Sequence, residues 1–150
     1  MLGGVAHVGI VVDDLEAAMA DLPLVGRWST VLEWETTVRL ADGSVERRPV
    51  RFVTAAAPAH VKLIESAPGS VWAPTGGHHQ LHHLTYWVDD LEVATSQLHE
   101  AGYRTEGDGL EDDGRVRFRY LLSPLGLRVE LGLLANKPAF DSWAAGGEHR

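Results

Sequence analysis

Histidine is the residue type in this chain that stands out for chemistry, and two of the eight histidines occupy matching positions. His7 opens the segment HVGIVVDDLEAA, and His83 opens HLTYWVDDLEVA 76 positions later. The same offset relates Leu22 to Leu98, so the match extends through a whole segment in one register. Imidazole is the commonest metal ligand in proteins and a frequent general acid or base. We therefore expect His7 and His83 to be equivalent members of one small-molecule site.

The repeat predicts that each half of the chain is built as a strand, a helix and three further strands. A short apolar run follows each histidine and indicates a buried strand. Asp13 and Asp89 then stand where helix N-caps are expected, with Glu16 and Glu92 three positions later as capping-box partners. Later strand-like segments lie at residues 36–40, 49–54, 60–64, 103–106, 116–122 and 127–131.

The chain of 150 residues is predicted to form a single domain. Module one spans about residues 5–66, a turn-rich linker about 67–80 and module two about 81–134. A C-terminal tail at 135–150 contains a short helix near 140–145.

Composition excludes several classes of function. The absence of cysteine excludes disulfides and thiolate chemistry, and a net charge of −8 disfavours nucleic acid as a partner. No apolar run approaches the ~20 residues that would cross a membrane. The first residues lack the pattern of a signal peptide, so we expect a cytoplasmic protein.

Three motifs in this order resemble the vicinal oxygen chelate superfamily, which includes glyoxalase I, methylmalonyl-CoA epimerase, bleomycin-resistance proteins and extradiol dioxygenases. They are HVGIVVDDL at 7–15, LHHL at 81–84 and SPLGLRVEL at 123–131. The resemblance covers about residues 5–134 and is nearest to the glyoxalase-like, methylmalonyl-CoA-epimerase-like branch. It implies an α+β fold in which two tandem βαβββ modules form a cupped eight-stranded mixed sheet around a divalent metal ion.

The resemblance also implies a ligand set, since the family's ligands come from the first and last strand of each module. His7 and His83 match the first strands; His82 is not the match, because only His83 keeps the offset from His7. Glu130 matches the last strand of module two. Two imidazoles and a carboxylate suit Zn, Ni, Co, Mn or Fe without distinguishing them, and they leave positions for water and two substrate oxygens.

The fourth ligand position departs from the family pattern. Lys62 stands where the family usually has Glu or Gln, and a protonated lysine has no lone pair with which to ligate. Glu65 lies three positions on, so it is expected on the opposite face of the strand. His60 shares the face of Lys62 and is either a replacement ligand or a residue of the pocket wall.

The favoured function is a metal-dependent epimerase, isomerase or lyase that stabilises an enolate of a small oxygenated substrate. Glu130 would both ligate and relay protons. Lys62 would act as a base or hold an anionic group of the substrate, and the second role is preferred because it needs no shift of the Lys62 pKa.

Two alternatives remain at the level of sequence. The segment from Tyr120 to Glu130 resembles the signature of ring-cleaving extradiol dioxygenases, but Ser123 and a missing upstream histidine depart from it. The other alternative is a non-catalytic small-molecule or antibiotic-binding protein. Its metal site would be degenerate, with Lys62 paired to Glu130 in a buried salt bridge.

Further residues are candidates for substrate binding. Trp87 lies on the predicted face of His83 and is the best aromatic candidate for the pocket. Arg117 and Arg119 are predicted to share a strand face and could clamp a carboxylate or phosphate. The expected partners are a small-molecule substrate and a second copy of the chain in a homodimer.

Overall fold

A computed structural model describes residues 3–74 and 76–149 of the chain. The first half contains β1 (His7–Val12), α1 (Leu15–Asp21), β2 (Leu32–Leu40), β3 (Val45–Thr54) and β4 (His60–Glu65). The second half contains β5 (Gln80–Val88), α2 (Leu91–Glu100), β6 (Arg104–Leu110), β7 (Val116–Leu122) and β8 (Arg128–Leu133), and α3 (Lys137–Ala144) follows it. Within the described ranges, no helix is long and apolar enough to cross a membrane.

The eight strands curl into a closed, cup-like barrel in the order β1-β4-β3-β2-β6-β7-β8-β5. Each half contributes four adjacent strands, and the halves meet along β1·β5 and β2·β6, which are both antiparallel. The first and last strands of each half run parallel to each other, so the sheet is mixed. The predicted α+β fold of two βαβββ modules is confirmed.

The helices α1 and α2 pack on the outer face of the barrel through equivalent apolar clusters. Leu15 and Ala18 of α1 are buried against Val53 and Leu63, while Leu91 and Ala94 of α2 join a cluster with β7 and β8. A third cluster fills the barrel interior and includes residues of α3. The C-terminal helix therefore belongs to the core that surrounds the site.

The helix caps lie one residue later than predicted. The carboxylate of Asp14 accepts a hydrogen bond from the backbone N–H three residues on at 2.7 Å, and that of Asp90 does so at 3.0 Å. The predicted caps Asp13 and Asp89 are wrong, because each helix begins at the leucine after the second aspartate. The capping-box roles of the two glutamates are wrong as well; each pairs with an arginine of the sheet instead.

Candidate metal centre

One row of residues crosses five adjacent strands of the barrel. His60 of β4 is the register partner of His7, His7 of Thr85, Thr85 of Glu130, and Glu130 of Tyr120. Side chains in one register row point to the same face of a sheet. The row explains why residues from the two halves of the chain converge, since the seam β1·β5 runs through its centre.

His83 enters the site from a row two positions along the strands, on the same face of the sheet, where its register partner is Gly9 and the partner of Gly9 is Lys62. The imidazole of His83 lies over the backbone of Gly9, and a Cβ there would stand 2.2 Å from its Cε1 atom. The missing side chain at Gly9 thus creates the space that the His83 ring occupies. A register irregularity follows directly, between Gly9 and Ile10.

His7, His83 and Glu130 form a compact buried group. One ligand atom of each lies within 4.8 Å of the others, and the residues are 2%, 0% and 6% exposed. The Nε2 atom of His7 is 3.7 Å from Oε1 of Glu130, and Nε2 of His83 is 3.6 Å from Oε2. The separations exceed hydrogen-bond length, so Glu130 accepts a hydrogen bond from neither imidazole, and the three side chains could hold a metal ion between them.

The electrostatics of the group favour neutral imidazoles. Burial, followed by the charge of Lys62, holds the pKa values of His7 and His83 well below their ordinary value of 6.5. A neutral imidazole keeps the lone pair that metal ligation needs. The Nε2 atom of His83 is buried without a hydrogen-bond partner among the described residues, as expected for a nitrogen whose lone pair ligates a metal ion. The residues therefore fit a divalent cation of the imidazole-preferring class.

Two residues of the cluster's surroundings hold its geometry. The Thr85 hydroxyl lies 2.8 Å from Nε2 of His7 and donates to Oε1 of Glu130 at 3.1 Å. His82, whose ring is buried, contacts Nδ1 of His83 through its own Nδ1 at 2.8 Å. Burial, and then the neighbouring His83, lower the pKa of His82 to about 3. Sequence reasoning missed Thr85 and His82 because neither is a ligand in the implied set.

Lys62 points into the barrel but is not paired with Glu130. Its amine lies 4.9 Å above the centroid of the Phe52 ring, and no carboxylate of the described residues lies within 4.0 Å of it. The salt bridge required by the degenerate-site alternative is therefore not formed. Burial lowers the pKa of Lys62, an effect that Glu130 opposes and Arg117 reinforces. The proton of the Lys62 amine is therefore easier to remove than that of an exposed lysine.

Tyr120 stands at the other end of the row. Its hydroxyl accepts a hydrogen bond from Nε1 of Trp72 at 3.2 Å, and its ring lies 5.2 Å from that of His83. Burial, together with the charge of Glu130, raises the pKa of Tyr120 well above its ordinary value. Tyr120 therefore remains a neutral hydroxyl beside the cluster.

Two members of the cluster, His7 and Glu130, line a cavity in the barrel. Lys62 and Arg117 contribute positive charge to its wall. Aromatic side chains supply much of the remaining wall, namely those of Trp34, Phe52, Trp72, Trp87, Phe118 and Phe140. The cavity therefore combines cations, apolar rings and a metal-ligand set.

The C-terminal segment lines this cavity, a role that sequence reasoning missed. Phe140 stacks on the His7 ring at 5.1 Å with planes 15° apart. Trp143 and His149 also contribute to the wall, and Nε1 of Trp143 donates to the Thr30 carbonyl at 2.8 Å. The aromatic residues of the tail were the available signal, but the repeat that locates the other site residues does not extend to them.

The structure separates the two arginines that were predicted to share a face. A bulge opposite Gly109 and Leu110 skips Arg117 in the β6·β7 register and lets it reach the cavity, where it lies 4.5 Å from the Trp34 ring. The guanidinium of Arg119 instead binds Asp108 at 2.6 Å, on the outer side near α2. The paired clamp of Arg117 and Arg119 therefore does not exist in this fold.

Two neighbours of Lys62 lie outside the cluster. Nδ1 of His60 donates to the carbonyl oxygen of Ala55 at 2.7 Å, because a carbonyl oxygen only accepts. The structure places His60 against Phe140 rather than at the ligand group. Glu65 points outward to Arg51 at 2.8 Å, as its odd offset from Lys62 predicts.

Fold and site together define a class of protein, in which two βαβββ modules close around a buried His-His-Glu group. The profile of the Glyoxalase/Bleomycin resistance protein/Dioxygenase superfamily matches residues 6–120, and the chain belongs to this superfamily. An ethylmalonyl-CoA/methylmalonyl-CoA epimerase of Cereibacter sphaeroides is 32% identical over 120 residues, which cover 73% of this chain and 78% of that protein. The resemblance to the epimerase-like branch is thereby confirmed.

Solved structures give the same picture of the fold. A methylmalonyl-CoA epimerase from Mycobacterium tuberculosis has a TM-score of 0.57 and 22% identity over 93% of each chain. A methylmalonyl-CoA epimerase in complex with methylmalonyl-CoA and NH4+ has a TM-score of 0.55 and 16% identity, over 89% of this chain and 95% of that one. At these identities the likeness shows a shared fold.

Proposed function

We propose that this protein is a divalent-metal-dependent enzyme of the glyoxalase and epimerase type, which moves a proton on a small oxygenated substrate. The observation that carries the proposal is the buried group of His7, His83 and Glu130 at an aromatic cavity. A divalent ion held there would supply Lewis acidity that stabilises the negative charge of an enolate. Two imidazoles and a carboxylate suit Zn, Ni, Co, Mn or Fe as that ion.

The protein's own residues would handle the proton. Glu130 on β8 and Lys62 on β4 flank the central pair of strands β1 and β5 from opposite sides. Epimerisation removes a proton from one face of a carbon and returns one to the other, which suits two groups on opposite flanks. The lowered pKa of the half-buried Lys62 amine helps it to exchange a proton.

The substrate class follows from the wall and from the relative. Lys62 and Arg117 favour an anion, and the aromatic side chains favour an apolar body beside it. The relative from Cereibacter sphaeroides is named for ethylmalonyl-CoA and methylmalonyl-CoA. We therefore propose acyl thioesters that carry a carboxylate as the first substrates to test.

Metal content tests the proposal most directly. Protein purified without chelator should contain about one divalent ion per chain, and His83→Ala should lose it while the exposed-residue control His78→Gln retains it. Absence of metal from both wild type and control, even after incubation with Zn2+, Co2+ or Fe2+, would overturn the proposal.

Isotope exchange tests the reaction. With methylmalonyl-CoA in deuterated water, the metal-loaded protein should incorporate deuterium at the carbon between the carboxylate and the thioester.

One observation favours a second function, because Tyr120 is a neutral hydroxyl beside the ligand group, where a ring-cleaving dioxygenase would use an acid. Iron-dependent oxygen uptake with catechols, without deuterium exchange, would select that alternative.

A further inference from the structure

A chain of three hydrogen-bonding groups leads from the backbone to the metal-ligand cluster. The carbonyl oxygen of Val71 lies 2.9 Å from Nε2 of His82, and Nδ1 of His82 lies 2.8 Å from Nδ1 of His83. The far nitrogen of His83, Nε2, faces Glu130 and has no hydrogen-bond partner among the described residues. This series of hydrogen bonds therefore starts at the Val71 carbonyl oxygen, which can only accept, and ends at Nε2 of His83, which makes no hydrogen bond to the described residues.

The direction of each hydrogen bond follows from the first group. Since a carbonyl only accepts, Nε2 of His82 must carry a hydrogen. A neutral His82 then has a lone pair at Nδ1, so the hydrogen between the two rings belongs to Nδ1 of His83. A neutral His83 with a hydrogen on Nδ1 keeps its lone pair on Nε2, which is the atom that faces the cluster.

The opposite arrangement is disfavoured by the surroundings. It needs a second proton on His82, whose ring is buried and whose backbone carbonyl oxygen accepts a hydrogen bond from the Arg128 guanidinium at 3.3 Å. It would also put a hydrogen on Nε2 of His83, and the nearest Glu130 oxygen is 3.6 Å away, too far to accept it. A buried cation and a buried unpaired N–H would both result, and each is costly.

We propose that His82 is a positioning residue, which fixes His83 in the tautomer that presents Nε2 to the metal. The hydrogen bond made by one ring nitrogen of a histidine generally sets which nitrogen remains to ligate. His82 differs from the usual carboxylate or backbone partner in being itself oriented, by the Val71 carbonyl. The metal part of this proposal rests on the proposed function, whereas the tautomer part does not.

Nuclear magnetic resonance of the metal-free, 15N-labelled wild type tests the tautomer without any variant. Long-range proton–nitrogen correlations of the imidazole rings should show a hydrogen on Nδ1 of His83 and on Nε2 of His82. A hydrogen on Nε2 of His83 would overturn the proposal. Because it uses wild-type protein only, this measurement establishes which nitrogen of His83 carries the hydrogen even if a His82 variant fails to fold.

Zn2+ affinity, measured by competition with a chromophoric chelator, tests the consequence. His82→Phe removes the acceptor, and Zn2+ should bind about 10–100-fold more weakly. His82→Gln should recover part of the affinity, because its amide oxygen can accept from Nδ1 of His83, and the exposed-residue control His99→Phe should match wild type. Wild-type affinity in folded His82→Phe would overturn the proposal. If wild type itself binds no Zn2+, the proposed function fails while the tautomer measurement still stands.

Discussion

The backbone of Gly9 lies directly beneath the imidazole of His83, so that a Cβ at Gly9 would stand 2.2 Å from Cε1 and 2.4 Å from Nε2 of that ring. Real Cβ atoms do not approach that closely, and the blocking atoms belong to a ring that is buried on all sides. The glycine two positions after His7 therefore serves the ligand of the other module. In the segment HVG at the start of the repeat, the glycine is therefore needed for the space it leaves, whereas its neighbours are explained by strand propensity.

Gly9→Ala should displace the His83 ring and weaken Zn2+ binding by tenfold or more. Overpacking of a closed interior should also lower the free energy of unfolding by about 1–3 kcal/mol. Chelator competition and thermal unfolding give the two readouts. Gly4→Ala is the matched control, because a Cβ there meets nothing within 4 Å. Equal Zn2+ affinity in Gly9→Ala and wild type would show that His83 does not ligate from this position.

The bulge in β7 predicts opposite phenotypes for two arginines of one strand. Arg119→Met should lower the free energy of unfolding by about 1–3 kcal/mol, because the buried Asp108 carboxylate loses one of its two arginine partners and keeps only Arg39. Arg117→Met should leave stability within about 0.5 kcal/mol of wild type but raise the KM for an anionic thioester, since Arg117 lines the cavity. Urea unfolding and steady-state kinetics on both variants separate the effects. Similar KM changes in both would contradict the separation seen here.

Much of the fold was accessible from the sequence because the repeat is explicit. Matching segments from His7 and His83 predict two equivalent modules, and the alternation of apolar runs places their strands. The predicted start of β3 at Pro49 was four residues late, because proline suggests an end to pairing. In the structure Pro49 pairs with β2 on one side, while β4 pairs with β3 only over Phe52–Thr54. Pro49 therefore lies where β3 has a partner strand on one side only, the edge-like position in which proline is found in sheets.

The candidate site was accessible only in part. The offset of the repeat and the family resemblance select His7, His83 and Glu130, which the fold brings together. The place of Arg117 depends on a bulge, and the place of Phe140 depends on how the tail crosses the barrel. Neither follows from strand periodicity. The module boundaries, the roles of the site residues, the homodimer and the cytoplasmic location stay predictions.

The buried histidines predict how metal-free protein responds to acid. Their pKa values lie below the ordinary 6.5, chiefly through burial, so the unfolded chain takes up protons first as the pH falls. Stability should therefore be full above about pH 6.5 and decline below it, by up to about 1.4 kcal/mol per pH unit for each of His7, His82 and His83. This window lies above the range in which most carboxylates titrate.

Urea unfolding between pH 7.5 and 5, in the presence of a chelator, measures that slope. His78→Gln is the control, because His78 is exposed in the folded protein and its loss should leave the slope unchanged. A free energy of unfolding that stays constant from pH 7.5 to 5 would contradict the neutral, buried state of the three rings.

Lys62 offers the sharpest test of the fourth ligand position. Lys62→Glu replaces a repelling cation with a carboxylate on the strand face that meets the cluster, so Zn2+ should bind at least about tenfold more tightly. Lys62→Met removes the charge without adding a ligand, and the difference between the two variants isolates ligation from repulsion. Calorimetric titration with Zn2+ measures both, and weaker binding by Lys62→Glu than by Lys62→Met would exclude position 62 as a ligand site.

If Lys62 holds the anion of the substrate, Lys62→Met should raise KM more than it lowers kcat, whereas a loss mainly in kcat would assign the amine to proton transfer.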